Sequence, residues 1–301
     1  MEQQAVITTK DLSKRYASHG PFALKDLNIT IHEGEVFGFL GPNGAGKSTT
    51  IRTLLNFIQP TSGSATILGL DIVKDSLKIR HRIGYLSGDF AAYEKMNGKQ
   101  FLAYMADLQK PKKKTYVDEL VHMFQFSSNK RIGDLSKGNR QKLGIIQAFM
   151  HQPELLILDE PTDGLDPLMQ EAFYKLVTDT KKQGTTFFIS SHNLAEVRKI
   201  CDRVAIIKEG KLVSQSTISD LAVEASQTFD ITFAGKAPLA ELRKLKKTKL
   251  TSNADGSVSL HVHGELSPLF ALLAKHDVQH LATKELNLEE EFMRYYEKRT
   301  S

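Results

Sequence analysis

Residues Gly41–Thr49 read GPNGAGKST, which fits the pattern G-x-x-x-x-G-K-[ST]. The stretch directly follows a short apolar run, Val36–Leu40, and it precedes a helical pattern over residues 50–56. Glycines in such a loop let backbone N–H groups converge on phosphate oxygens without a Cβ in the way. A purely structural glycine turn explains the glycines but not the Lys-Ser pair, so the stretch predicts a nucleotide-phosphate site between a strand and a helix.

The charged group and the candidate metal ligand of this loop lie at its end. The start of a helix adds partial positive charge, Lys47 adds a full charge, and the Ser48 hydroxyl is a suitable Mg²⁺ ligand. We therefore expect a nucleotide and Mg²⁺ to bind here. The loop residues predicted to contact the nucleotide are Gly41, Asn43, Gly44, Ala45, Gly46, Lys47, Ser48 and Thr49.

Two other apolar runs end in polar residues suited to the same site. Leu155–Leu158 is followed by Asp159 and Glu160, and a second buried run ends at Ser191 and His192. The carboxyl ends of parallel strands face the ligand crevice, so these residues are predicted to lie beside the phosphates. Asp159 suits the Mg²⁺ shell, Glu160 could polarise the attacking water, and His192 could contact the γ-phosphate. Taken alone, the acids are equally typical of a strand that leaves into solvent.

Composition sets limits on the class of protein. The chain has 301 residues, of which 41% are hydrophobic and 25% charged, as in ordinary globular proteins. The lone Cys201 excludes an internal disulfide framework. No uncharged apolar run approaches the roughly 20 residues that cross a bilayer, so we expect no membrane path within the chain. The net charge of +5 only mildly favours an anionic neighbour, and no nucleic-acid partner is expected.

The pattern along the chain indicates two domains. Alternating strands and helices over residues 1–222 predict a parallel sheet with crossover helices, interrupted by a helical segment at about residues 91–150. A strand-helix-strand-strand-helix-strand order then predicts a small α+β domain over residues 227–301. That domain includes a turn at Asn253–Gly256 and a final amphipathic helix at Leu288–Tyr296.

A further set of motifs carries a family resemblance. Leu135-Ser136-Lys137-Gly138-Asn139, which continues as Arg140-Gln141, resembles the LSGGQ signature of ABC ATPases and lies, as in that family, between the loop and the acidic strand. Gly164-Leu165-Asp166 resembles the family's D-loop, Tyr16 resembles the aromatic residue that stacks on adenine, and Ser191-His192 resembles the switch histidine. The resemblance covers residues 5 to about 220 in five ordered motifs.

The resemblance implies a fold and a mode of action. The expected fold is α/β, a P-loop NTPase core of the ABC ATPase type with an antiparallel β subdomain and a helical subdomain, followed by a ferredoxin-like βαββαβ domain. By analogy with the family, Ser136, Gly138 and Asp166 would act on ATP bound by a second ATPase subunit, in a head-to-tail dimer. The expected activity is ATP hydrolysis that drives export through a separate transmembrane permease. The location implied is cytoplasmic and peripheral, on the inner face of the cell membrane.

The membrane partner of the family docks beside the helical insert. The aromatic and methionine side chains there are more typical of a core than of an interface, although some exposure is expected. They are Phe90, Tyr93, Met96, Phe101, Tyr104 and Met105.

Three residues depart from the family pattern. Gly88 stands where glutamine is common, and it is followed by Asp89. Lys137 and Asn139 replace the usual glycine and glutamine of the signature. These departures leave the strength of nucleotide-driven closure open, as well as whether Asp89 or solvent replaces the missing glutamine.

A soluble ABC ATPase acting on ribosomes or DNA is the alternative hypothesis. Repair-type members separate the two halves of the motif set by long coiled coils, for which the roughly 90 residues between Lys47 and Ser136 leave no room. Ribosome-acting members resemble two such domains in tandem. A non-catalytic regulatory subunit is disfavoured because Lys47, Asp159, Glu160 and His192 are all present. The transported cargo stays open.

Overall fold

The structure is a computed structural model that describes residues 4–113, 115–220, 227–246, 248–253, 257–262 and 265–284. The chain divides into two compact units, Met1–Gln215 and Ser216–Ser301. Within the described ranges, no helix combines the length and apolar character needed to cross a bilayer.

A six-stranded sheet forms the centre of the first unit. Its order is β11-β10-β4-β9-β8-β7, and the pairs from β10 through β7 are parallel. The strands are β4 (Val36–Leu40), β7 (Ile83–Leu86), β8 (Leu155–Asp159), β9 (Thr186–Ser191), β10 (Arg203–Lys208) and β11 (Lys211–Thr217). Every residue of β4, β8 and β9 is buried, which explains why these strands read as continuous apolar runs rather than as alternating patterns.

A second, antiparallel sheet packs on the same core. Its order is β2-β1-β5-β6, with β3 also paired to β1. The strands are β1 (Ala5–Arg15), β2 (Phe22–Leu27), β3 (Thr30–His32), β5 (Ser62–Ile67) and β6 (Leu70–Asp71). Leu24 and Ile31 of this sheet share one apolar cluster with Phe39 and Phe188 of the central sheet. The two sheets therefore share one hydrophobic core.

The helices of this unit cover the central sheet and form the helical insert. They are α1 (Lys47–Leu54), α2 (Ser76–Arg82), α3 (Gly98–Gln109), α4 (Thr115–Met123), α5 (Lys137–Phe149), α6 (Pro167–Lys181) and α7 (Leu194–Ile200). Residues 91–150, of which all but residue 114 are described, hold α3 to α5, a short 3-10 turn at Ile132–Asp134 and an isolated bridge between Asn97 and Arg131. Asn97 and Gln100 form a capping box that starts α3.

The second unit contains one antiparallel sheet in the order β13-β14-β12-β15. Its elements are β12 (Gln227–Phe233), α8 (Leu239–Leu242), β13 (Thr248–Ser252), β14 (Val258–Val262), α9 (Ser267–Leu273) and β15 (Val278–Lys284). The sequence pattern predicts a helix over Leu239–Lys246, whereas α8 ends at Leu242. Residues 254–256 of the expected turn and the expected helix Leu288–Tyr296 lie outside the described residues.

Candidate functional site

The phosphate loop joins β4 to α1, and close packing explains its glycines. A Cβ on Gly41 would lie 2.5 Å from the carbonyl oxygen of Ile207. Gly46 caps α1 with a φ of 108°, and a Cβ there would lie 2.6 Å from the carbonyl oxygen of Ala23. The backbone N–H of Gly41 donates to the carbonyl of Ser191 at 3.1 Å, which ties the loop to the end of β9.

Lys47 is folded back into its own loop. Its Nζ donates to the carbonyl oxygens of Gly41 at 2.6 Å and Pro42 at 3.1 Å, and it lies 3.1 Å from Glu160 Oε1. Only 5% of Lys47 is exposed. A buried ammonium needs such partners, because removing a charge from water without them is very costly. Lys47, which the sequence predicts to bind phosphate, is therefore paired with Glu160, which the sequence predicts to polarise the attacking water.

Glu160 is held in an uncommon backbone conformation at the end of β8. Its φ is 49°, in the left-handed region, and its N–H donates to the carbonyl and to the Oγ of Ser190 at 3.2 and 3.1 Å. The Ser190 hydroxyl also donates to the buried carboxylate of Asp159. Ser190 thus fixes both acids relative to β9, a role that the sequence analysis missed.

His192 completes a three-residue cluster with Glu160 and Lys47. His192 Nδ1 lies 2.8 Å from Glu160 Oε2, and the His192 N–H donates to the same oxygen at 3.3 Å. The imidazole is about half exposed, whereas the Glu160 side chain is 18% exposed. The structure therefore places one carboxylate between an ammonium and an imidazole at the phosphate loop.

A small cavity lies against this cluster. Its volume is about 190 Å³, and its lining consists of Ala23, Asn43, Gly44, Gly46, Lys47, Ser48, Thr49 and Glu160. The residues present suit a phosphate group, because a buried cation and a cradle built on glycines meet there. A Cβ on Gly88 would lie 3.5 Å from Asp159 Oδ2, so the residue that departs from the family pattern borders the acid assigned to Mg²⁺.

Tyr16 lies close to the phosphate loop but outside the cavity lining. Its hydroxyl is 3.2 Å from the Oγ1 of Thr49, and 64% of the residue is exposed. An exposed aromatic face beside the loop is able to stack on a flat base.

The signature residues form the N-terminus of α5. The Ser136 hydroxyl caps the helix by accepting hydrogen bonds from the backbone N–H and the Nδ2 of Asn139, at 3.3 and 3.0 Å. A Cβ on Gly138 would lie 2.5 Å from the carbonyl oxygen of Gly164. Lys137 Nζ forms a 2.7 Å ion pair with Asp163, and Lys137 is thereby anchored to the segment that follows Glu160.

Ser136, Gly138 and Asp166 are not among the cavity-lining residues of the described chain. Asp166 instead caps α6 by accepting a hydrogen bond from the Met169 N–H at 3.0 Å.

A second residue that the sequence analysis missed connects the signature helix to the acidic strand. Buried Gln141 donates to the carbonyl oxygens of Glu160 and Pro161, at 3.1 and 2.9 Å.

An apolar groove opens beside the helical insert. Its volume is about 550 Å³, and Phe57, Arg80, Tyr85, Tyr93 and Met105 contribute to its lining. Of the aromatic and methionine residues singled out from the sequence, Phe90 and Phe101 also line it. Tyr93 and Tyr104 are exposed and pack edge to face, whereas Phe101 is buried, so the set divides between surface and core.

Comparisons with known proteins show which proteins this chain is similar to. Residues 24–163 match the protein family described as ABC transporter. The bacitracin transport ATP-binding protein BcrA of Bacillus licheniformis is 35% identical over 298 residues, which cover 96% of each chain. A solved ATP-binding subunit of an ABC transporter is 28% identical with a TM-score of 0.66, over 72% of this chain and 91% of that one. A bacterial ABC transporter cassette solved as a dimer shares the fold at 23% identity, with a TM-score of 0.65 over 70% of this chain and 98% of that one.

Proposed function

Because this chain belongs to the family of ABC transporter ATP-binding proteins, we propose that it powers export through a separate transmembrane permease by ATP-driven closure of a head-to-tail dimer. The chain is an ATPase and the ATP-binding subunit of an ABC transporter. The contact of Glu160 with both Lys47 and His192 is the observation that carries the proposed site.

Each residue of the cluster has a role in the proposed hydrolysis. Lys47 and the loop N–H groups bind the terminal phosphates, and ATP therefore competes with Glu160 for the Lys47 ammonium. Glu160, once released from Lys47, accepts a hydrogen bond from the attacking water, and His192 holds that carboxylate and the γ-phosphate in line. Ser48 and Asp159 would hold Mg²⁺, which neutralises charge on the phosphate oxygens when bound.

The dimer proposal rests on where the signature lies. Ser136 and Gly138 form a capped helix N-terminus, which is a favourable anion site, yet neither lines the cavity of its own chain. In the proposed dimer this helix N-terminus binds the γ-phosphate held by Lys47 of the other copy. Asp166, at the start of α6, lies on the segment that follows Glu160 and would contact the partner copy near the same phosphate.

The apolar groove is the proposed docking surface for the permease. Its exposed aromatic residues Phe57 and Tyr93 fit an amphipathic helix. By analogy with the family, we place the chain on the cytoplasmic face of the membrane. The ATPase domain is proposed to span residues 1–222, and the second domain residues 227–301. The antiparallel order β13-β14-β12-β15 supports a ferredoxin-like assignment for the second domain.

A paired experiment tests the transport proposal. The full chain is expressed with its candidate permease, and Phe57→Ser in the groove is compared with Leu77→Ser, a matched exposed side chain outside the groove lining. We expect Phe57→Ser to lose permease co-purification while both variants keep ATPase activity. Because one relative is named for bacitracin transport, resistance to bacitracin is the first export readout. Association with ribosomes or DNA, with no permease captured by the wild-type chain, would favour the alternative.

A further inference from the structure

A second acid lies behind the proposed catalytic cluster. Glu196 stands in the first turn of α7, and only 3% of it is exposed. Carboxylates are almost never buried to this extent without partners. Burial raises the pKa of the Glu196 carboxyl above its ordinary value, and the hydrogen bond from Ser191 opposes that shift. The cost of burying this group indicates a specific role for it.

Glu196 contacts the strand end that carries His192. The Ser191 hydroxyl donates to Glu196 Oε2 at 2.6 Å, and it accepts a hydrogen bond from the Asn193 N–H at 3.0 Å. Ser191 also accepts, through its carbonyl, the hydrogen bond from Gly41 at the start of the phosphate loop. The backbone on both sides of His192 is therefore fixed through one serine, and that serine is held by Glu196.

Glu196 Oε1 is buried and has no hydrogen-bond partner among the described residues. The carboxylate is therefore held through Oε2, by the hydroxyl of the residue just before His192. Glu196 is absent from the cavity lining, so it does not touch the predicted phosphate position in the described structure.

We propose that Glu196 is a positioning residue that holds His192 against Glu160 by fixing, through Ser191, the strand end that carries His192. The proposal rests on the hydrolytic site proposed above. Without Glu196, the turn at residues 191–193 loses the carboxylate that accepts the hydrogen bond from the Ser191 hydroxyl. The contact between the His192 ring and the Glu160 carboxylate, 2.8 Å in the structure, then loosens. A displacement of about 1 Å in such a pair is sufficient to slow catalysis up to about 100-fold.

The test is a comparison of steady-state ATPase kinetics on the full chain. We expect Glu196→Ala to lower kcat at least about tenfold while KM for ATP changes by less than about threefold. Glu196→Gln keeps an oxygen that accepts from Ser191, so it should restore most of kcat. Ser191→Ala removes the same hydrogen bond from its other end and should lower kcat even if Glu196→Ala fails to fold.

A matched control separates positioning from packing. Glu171 forms an exposed ion pair with Lys199 that joins α6 to the same helix, α7, away from the site. Glu171→Ala should leave kcat unchanged. The proposal is overturned if Ser191→Ala and folded Glu196→Ala both turn over at the wild-type rate, or if Glu196→Gln is as slow as Glu196→Ala. Glu160→Gln is assayed alongside, because an active Glu160→Gln would refute the hydrolytic site itself rather than the role of Glu196.

Discussion

The ion pair between Lys47 and Glu160 predicts that Glu160→Gln strengthens nucleotide binding by a single subunit. In the structure the two charges lie 3.1 Å apart, which corresponds to about 5 kcal/mol of gross attraction at an effective dielectric constant of about 20. A nucleotide phosphate must displace this attraction to reach Lys47. Glutamine keeps a dipole and Lys47 keeps two carbonyl partners, so the net gain is smaller, about 1–2 kcal/mol.

That net gain corresponds to a Kd lowered about 5- to 30-fold. The assay is calorimetric titration with a non-hydrolysable ATP analogue, at subunit concentrations where light scattering gives a monomer. AMP, which lacks the terminal phosphates, should gain little, and the surface variant Glu171→Gln should bind like the wild type. An analogue Kd that is unchanged or weaker in Glu160→Gln would refute the competition between Glu160 and phosphate for Lys47.

Three further predictions follow from single side chains. Lys47→Ala should abolish measurable binding of the ATP analogue, because the loop then lacks its only buried cation among the described residues of the cavity; an unchanged isotherm contradicts this. Lys137→Gln breaks an exposed pair with Asp163, so the free energy of unfolding should fall only slightly, and denaturation curves should converge with those of the wild type at high salt. Burial lowers the pKa of His151, whose Nε2 lies 3.1 Å from the Ile83 carbonyl. Since the unfolded state then takes up the proton first, stability should fall as pH drops below the ordinary value of 6.5, by at most about 1.4 kcal/mol per pH unit; His151→Asn, compared by thermal melts from pH 7 to 5, should lose this dependence.

Much of the fold was predictable from the sequence because buried parallel strands are apolar throughout. Val36–Leu40 was delimited as it occurs in β4, and Leu155–Leu158 lies within β8. The antiparallel sheet was expected only through the family resemblance, since strand pairing brings together residues far apart in the chain, such as Ile7 and Ile67. Helix α8 ends at Leu242, earlier than its apolar spacing suggested.

The candidate site was predictable where chemistry follows directly from residue type and spacing. Lys47 was placed in the phosphate loop, and Glu160 and His192 at the ends of two buried strands; the structure brings the three side chains into contact. Their mutual pairing was not predictable, because it depends on the side-chain directions at one helix start and two strand ends. The proposed role of Glu196 was not predictable either, because an acid in the first turn of a helix is already explained by the helix dipole.

That Asp166 contacts ATP remains a prediction, and its side chain also has a structural role within its own chain. Its side chain caps α6 within the chain, and an N-cap aspartate is common for that local reason alone. Contact with ATP requires the second copy, as it does for Ser136 and Gly138.

The central claim is therefore that two copies of this chain close on ATP. The most direct measurement is the mass of the Glu160→Gln chain by size exclusion with light scattering, with and without ATP and Mg²⁺. We predict a monomer of 33.7 kDa without nucleotide and a dimer with it, weakened when Ser136→Ala is added. A monomer at saturating ATP, or a dimer that forms equally well without nucleotide, would contradict the claim.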